Sequence, residues 1–280
     1  MATYFVLTAA HCFEGDLKDR RKWEKLSILA GSTLTDIGKS QLKDLFGVQI
    51  RKINAVEIHP NWDHSKFYND FALLMLDNNL IYRNGKHGVR PICMPKWNEQ
   101  ENYDLKILRY VKDNAITCNI AGWGVTKADG EKASKSLQAA SLPWIESAHC
   151  QYLFNQMKTL KTKVRIQDFM LCFGKLTGGT DACLGDSGGS MSCDIDGVSL
   201  SLGVVSFGIG CAKTGHPGVY ARTSFASEWA IKTMKTMNRL KLRKGFSVPL
   251  HWQKRAECME EANRRSRACN DILQLEDETS

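Results

Sequence analysis

Three short stretches of this chain carry side chains suited to the covalent hydrolysis of an amide. Gly185-Asp186-Ser187-Gly188-Gly189 sets a hydroxyl in a glycine-lined turn, Thr8-Ala9-Ala10-His11-Cys12 ends an apolar strand on an imidazole, and Asn69-Asp70-Phe71-Ala72-Leu73-Leu74 puts a carboxylate at the mouth of another. A serine hydroxyl attacks a carbonyl only when a positioned base takes its proton, a carboxylate orients that base, and donors receive the charge that develops on oxygen. Ser187, His11 and Asp70 are of the right types for nucleophile, base and orienting group. The bare turn lets a carbonyl approach the backbone N–H groups of Gly185 and Ser187, which suit the fourth role. Singly, such residues are ordinary: a His or Asp at a strand end is most often structural, and a Gly-Ser turn is most often only a turn. Their conjunction carries the reading.

The segments that must hold these groups read as β-structure. Leu26–Ala30, Phe46–Ile50 and Phe71–Leu76 are short apolar or alternating runs separated by Gly, Asn, Asp and Pro, which predicts an all-β texture over residues 1–90. It resumes at Cys118–Gly124 and Leu200–Ser206, so two β modules joined near residues 90–100 are the simplest account. From Ser224 the period becomes helical, with Phe225, Trp229 and Met234 spaced to pack one face. The basic run 239–244 reads as a solvated linker, and the charged stretch from about His251 to Glu276, without Gly or Pro, as an appended helix. In one continuous helix Cys258 and Cys269 would lie about 16 Å apart, beyond disulfide reach.

Composition narrows the class. The 280 residues are 43% apolar, enough to bury a core and incompatible with a disordered chain. A net charge of +8 suits secretory granules, anionic glycans or nucleic acid about equally and decides nothing alone. Ten cysteines, none in a C-x-x-C pair, argue for disulfides in an oxidising compartment rather than for zinc or thioredoxin chemistry. No apolar run approaches the roughly 20 residues that span a bilayer. Residues 1–10 lack a basic leader region and read as a buried strand, so a secreted-type cysteine pattern without an export signal implies sequence upstream of Met1. Residues 31–50 show no calcium loop with paired carboxylates, and no metal is expected.

Taken together, and in the chain order His, Asp, Ser, the three motifs resemble those of the chymotrypsin/trypsin-like serine endopeptidases over about residues 1–238. The resemblance implies two six-stranded antiparallel Greek-key β-barrels, about 1–90 and 100–223, the first incomplete because the strands that should precede the one leading into His11 are missing. A C-terminal helix over 224–238 and a basic linker with a helical tail over 239–280 would follow. It implies His11, Asp70 and Ser187 as the catalytic triad, the Gly185 and Ser187 amides as the oxyanion hole, and no cofactor. Asp181, six residues before Ser187, matches the base of a pocket for Arg or Lys, with Ser206-Phe207-Gly208 as the strand that pairs with substrate and Gly218 as the opposite wall. A buried carboxylate selects a cation because an unpaired buried charge is costly. Ala182 offers no hydroxyl to help hold a Lys ammonium, so Arg is expected to be preferred.

The same resemblance pairs Cys118 with Cys193, Cys150 with Cys172 and Cys183 with Cys211. It leaves Cys12 without its usual partner and gives Cys93 the role of tethering a propeptide or light chain. The sequence departs from the family at Phe207, where Trp is usual, and at Ser190, where Pro is usual. It also lacks the cleaved N-terminal amine that the family pairs with the residue here numbered Asp186. The expectation is a secreted or granule-stored endopeptidase, made as a zymogen, acting on polypeptides at Arg or Lys and met by protein inhibitors. No nucleic-acid partner or membrane span is expected, and the chain as written is expected to be inactive by itself. The alternative is a catalytically inactive homologue that keeps the motifs and acts as a binding or regulatory protein.

Overall fold

In the computed structural model of this chain, residues 4–14, 19–35, 47–82, 88–95, 103–126, 130, 132–157 and 164–243 are described. Most of residues 31–50 and nearly all of the tail, with Cys258 and Cys269, lie outside them.

The apolar run at Phe71–Leu76 is buried throughout because strand β4 (Ala72–Leu76) is covered on both faces. Leu73 and Met75 enter one core with Tyr4, Phe5 and Met237, whereas Ala72 and Leu74 enter another with Phe13, Trp23 and Ile53. Successive strand side chains point to opposite faces, so a strand buried on both sides needs an unbroken apolar run. With β1 (Phe5–Thr8), β2 (Ser27–Ala30) and β3 (Gln49–Ile58), it forms an antiparallel sheet in the order β1-β4-β3-β2. Thr8 lies opposite Ala72. The chain therefore leaves β1 towards His11 beside the point where Asp70 and Phe71 enter β4.

The second sheet has the order β6-β5-β9-β10-β11-β8-β7. Its strands are β5 (Cys118–Gly122), β6 (Gln138–Leu142), β7 (Trp144–Ile145), β8 (Met170–Phe173), β9 (Ser190–Ile195), β10 (Val198–Phe207) and β11 (Gly218–Arg222). Leu142, Phe173, Met191, Leu202 and Tyr220 fill its core. The architecture is mostly β, two curled half-barrel sheets with a C-terminal helix, as the resemblance implied. Disulfides join Cys118 to Cys193, Cys150 to Cys172 and Cys183 to Cys211, also as implied.

Among the described residues four α-helices accompany the sheets: α1 (Arg20–Trp23), α2 (Tyr103–Asp113), α3 (Ser147–Gln156) and α4 (Thr223–Arg243). Two of them, α2 and α3, lie in a stretch read as purely β. In α2 the buried residues Asp104, Ile107, Leu108 and Val111 recur at helical spacing, which is why it packs on the second core. The last helix continues past Asn238 to Arg243, so most of the basic run read as a linker is helical. Among the described residues no helix is long and apolar enough to cross a membrane.

One polar contact fixes α2 to the junction of β11 and α4. Arg222 Nε donates to Asp104 Oδ2 at 2.5 Å, Nη2 pairs with Oδ1, Nη1 donates to the Asp168 carbonyl at 2.8 Å, and Ser224 Oγ donates to the same carboxylate. Both charged side chains are almost wholly buried. Removing one partner of such a pair strands the other charge in a low dielectric. Asp104→Ala is expected to cost about 3–5 kcal/mol in urea unfolding, while Asp104→Leu combined with Arg222→Met recovers most of it. A loss below about 1 kcal/mol, as for an exposed pair, would show that the contact is solvated.

Candidate active site

Asp70 precedes β4 by two positions and is fully buried. A carboxylate out of water needs donors, and three reach it. The His11 backbone N–H donates to Oδ1 at 2.9 Å, His11 Nδ1 lies 2.7 Å from Oδ2, and Ser206 Oγ donates to Oδ2 at 2.5 Å. These bonds commit Nδ1 to the carboxylate and leave Nε2 to exchange protons. Burial pulls the His11 pKa down, but its hydrogen bonds to Asp70 and Cys12 together with their charges outweigh it and raise it to about 10.

The Ser187 turn lies against the strand leading to His11. Gly188 has φ +82, and a Cβ there would sit 2.1 Å from Thr8 Oγ1, so only glycine allows this approach. Backbone bonds from Gly188 to Val205 at 2.9 Å and from Val205 to Gly189 at 2.8 Å tie the turn to β10. Ser187 is exposed, and the Gly185 and Ser187 amides donate to no protein atom among the described residues. No hydrogen bond joins Ser187 Oγ to His11 among those residues; Nε2 instead faces Cys12 Sγ at 3.8 Å.

In this form Asp186 is held by two backbone amides. Its Oδ1 accepts from Gly124 N–H at 2.8 Å and its Oδ2 from Cys183 N–H at 3.0 Å. A Cβ at Gly122 or Gly124 would lie 2.0 Å or 2.5 Å from this carboxylate, so the two glycines make room for it. Beside it opens a cavity of about 200 Å³ bordered by Gly122, Gly124, Gln138, Asp181 and Asp186.

Asp181 accepts from Ala182 N–H at 2.8 Å and from Ala212 N–H at 3.4 Å. Burial raises its pKa; the two amides oppose this, the Asp186 charge adds to it, and the result is about 6. A Cβ at Gly218 would lie 3.3 Å from both Asp181 Oδ1 and Tyr220 Oη, and one at Gly208 would lie 3.9 Å from Gly218 Cα. Asp181, Gly208 and Gly218 are therefore brought together, with Cys183–Cys211 joining the two segments. The Ser206 hydroxyl is committed to Asp70, and the backbone of Ser206 stays available for the strand pairing expected of it. Phe207 packs on Phe67 and Phe154, with ring centroids 5.3 Å and 6.3 Å away.

The Trypsin family model matches residues 1–230. This chain belongs to the trypsin family. It is 33% identical over 234 residues to Transmembrane protease serine 9 of Rattus norvegicus, covering 83% of the chain but 19% of that relative. It is 29% identical over 227 residues to Trypsin-1 of Astacus astacus, covering 80% of the chain and 81% of the relative. With Testisin of Homo sapiens it shares 33% over 235 residues, 82% of the chain and 67% of the relative.

Four features of this trypsin-family site had no local signal in the sequence. They are the Ser206 bond to Asp70, the two amides on Asp186, the Tyr220 hydroxyl buried without a partner beside the pocket, and the Phe67 ring near His11. Cys12 was expected only to lack a disulfide; it also touches the base. It is unpaired among the described residues, as is Cys93. Because the folded His11 pKa of about 10 lies above 6.5, the stability from its partners is complete below about 6.5 and is lost as pH rises through about 10. Cys12→Ala removes one partner of the imidazolium and is expected to move the His11 titration to lower pH in a histidine NMR titration of the full chain. An unchanged or raised midpoint would show that the thiol has no part in it.

Proposed function

We propose that this trypsin-family protein is a secreted endopeptidase that cleaves after Arg, and less readily after Lys, through an acyl-enzyme. The observation that carries the reading is the His11–Asp70 pair held beside a Ser187 turn whose two amides have no acceptor among the described residues. Ser187 Oγ attacks the carbonyl carbon and its proton passes to His11 Nε2, while Asp70 stabilises the imidazolium. The oxyanion accepts from the Gly185 and Ser187 amides. Collapse expels the amine, which takes the proton from His11; a water then cleaves the ester by the same proton route.

Specificity for a cation rests on Asp181, whose raised pKa marks a carboxylate short of partners. A forked guanidinium supplies two donors to it, whereas an ammonium supplies a single point of charge. The acyl side of a substrate would lie on β10, because pairing with β9 ends where Val204 meets Ser190 and the β9-side edge over Ser206–Gly208 has no strand partner among the described residues. Synthesis as a zymogen is supported by the cavity beside Asp186, which would accept the new ammonium of a longer form after cleavage. A half-buried, unpaired Cys93 supports a tether to a propeptide or light chain, and the open cleft suits protein inhibitors. One observation favours the second reading, a non-catalytic homologue: Nε2 faces Cys12 rather than Ser187.

Labelling by a fluorophosphonate, compared between the chain as written and a form cleaved to a free Ile or Val N-terminus, separates the two. The cleaved form is expected to label and to turn over an Arg amide, Ser187→Ala to abolish both, and His11→Ala to slow turnover by several orders of magnitude. Labelling that survives Ser187→Ala would place the nucleophile elsewhere, and no labelling of either form would favour the homologue. Asp181 must be ionised to hold a guanidinium, so KM for Arg substrates is expected to rise as pH falls through about 6. Asp181→Asn removes both this dependence and the preference for Arg over Lys; a Lys preference in the wild type would show that the pocket is misplaced.

A further inference from the structure

Val205 carries the Ser187 turn: its N–H donates to the Gly189 carbonyl at 2.8 Å, and its own carbonyl accepts from Gly188 N–H at 2.9 Å. The regular stretch of β10 around it is short, because the register shifts twice. Against β9 the shift falls between Ser201 and Gly203, and against β11 between Val205 and Phe207, with Leu202 and Ser206 as the extra residues. A residue left out of the ladder bends the strand and breaks the regular pairing. The ladder on either side therefore does not by itself set where Gly203, Val204 and Val205 lie. Two serine hydroxyls bracket them. After them Ser206 Oγ donates to Asp70, and before them Ser201 Oγ lies 2.7 Å from Ser190 Oγ, one hydroxyl donating to the other.

Ser201 is itself held in place. It is buried, its N–H donates to the Cys93 carbonyl at 2.8 Å, and its carbonyl accepts from Thr223 Oγ1 at 2.6 Å. Ser190, three residues after Ser187, lies opposite Val204. Antiparallel ladders alternate bonded and unbonded pairs; Gly189 and Val205 are bonded, so Ser190 and Val204 have no ladder bond between them. The hydroxyl bond to Ser201 thus fastens the start of β9 to β10 at a point where the ladder does not, and it spans the shifted register. A Pro at 190, usual among relatives, has no hydroxyl with which to do this. We propose that Ser190 is a positioning residue for the nucleophile, holding the Ser187 turn against β10 through Ser201. Its catalytic consequence rests on the endopeptidase reading above; the positioning itself does not.

Amide hydrogen exchange on the full chain reads the positioning without turnover, since local opening is reported bond by bond. Ser190→Ala is expected to speed exchange of the Gly188 and Val205 amides about tenfold or more. The His59 and Arg222 amides, bonded to the Phe71 and Phe169 carbonyls, are expected to keep their rates. Ser201→Ala is expected to match Ser190→Ala, and the double variant to exchange no faster than either alone, because both remove one bond. Ser190→Thr keeps a hydroxyl and is expected to restore the original rates. Unchanged exchange at Gly188 and Val205 in Ser190→Ala, or equal speeding at His59 and Arg222, overturns the inference. In the form cleaved to a free Ile or Val N-terminus, Ser190→Ala is expected to slow both fluorophosphonate labelling and kcat on an Arg amide about tenfold, with KM unchanged. A raised KM at unchanged kcat would show that the bond shapes the Asp181 pocket instead, and overturns the assignment. Absence of labelling in every form counts against the endopeptidase reading, while the exchange rates still decide whether Ser190 holds the turn.

Discussion

The burial of one carboxylate governs the working end of this molecule. Asp70 has no exposure to water, and an ion there is tolerated only if its lone pairs are met by well-placed donors. Those donors come from both halves of the chain: the amide and imidazole of His11, which follows β1, and the hydroxyl of Ser206, near the end of β10. The contact therefore constrains more than a histidine. It requires β1 to end beside the start of β4, which the Thr8–Ala72 register provides, and requires the second sheet to bring Ser206 to the first. The Ser187 turn, tied to Val205 one residue before, is delivered to the same place by the same strand.

Two further carboxylates lie close by, and the difference in how they are satisfied separates their roles. Asp186 receives two amides at 2.8 Å and 3.0 Å, in a space that Gly122 and Gly124 leave open. Asp181 receives one comparable amide and a second at 3.4 Å, and burial together with the Asp186 charge raises its pKa to about 6. The Tyr220 hydroxyl lies near it with no partner. Asp186 thus has donors that define a backbone turn, whereas Asp181 is a charge held at a cost that an incoming cation would offset. The two neighbouring carboxylates differ in how fully their lone pairs are met.

Legibility in the sequence followed how local each interaction is. His11, Asp70 and Ser187 stood out because each sits in a segment whose own composition reports its setting: an apolar run before His11, another after Asp70, glycines around Ser187. The double-sided burial of β4 was likewise visible as an uninterrupted apolar run. The Ser206 bond to Asp70 was silent because it joins residues 136 apart, which no window can show. Phe67 gave no signal because its place near His11 depends on rings gathered from several segments. Helix α2 was within reach, since Asp104, Ile107, Leu108 and Val111 keep helical period, but β-texture on either side hid it. For α4 the inward apolar pattern stops at Met237, while the Lys, Arg and Leu residues that follow are good helix formers with no Gly or Pro before Gly245.

The position of Cys12 bears on how such a site becomes competent. With Nδ1 fixed by Asp70, only Nε2 can carry a proton to or from Ser187, and in this form Nε2 faces a thiol at 3.8 Å. A thiol is a weak hydrogen-bonding partner, so the contact does not lock the ring against a closer hydroxyl. Its effect is on the charge: Cys12 adds to Asp70 in raising the His11 pKa, and it is the neutral imidazole that accepts a proton. The carboxylate that orients the base and the sulfur beside it thus act on different nitrogens of one ring, Nδ1 and Nε2.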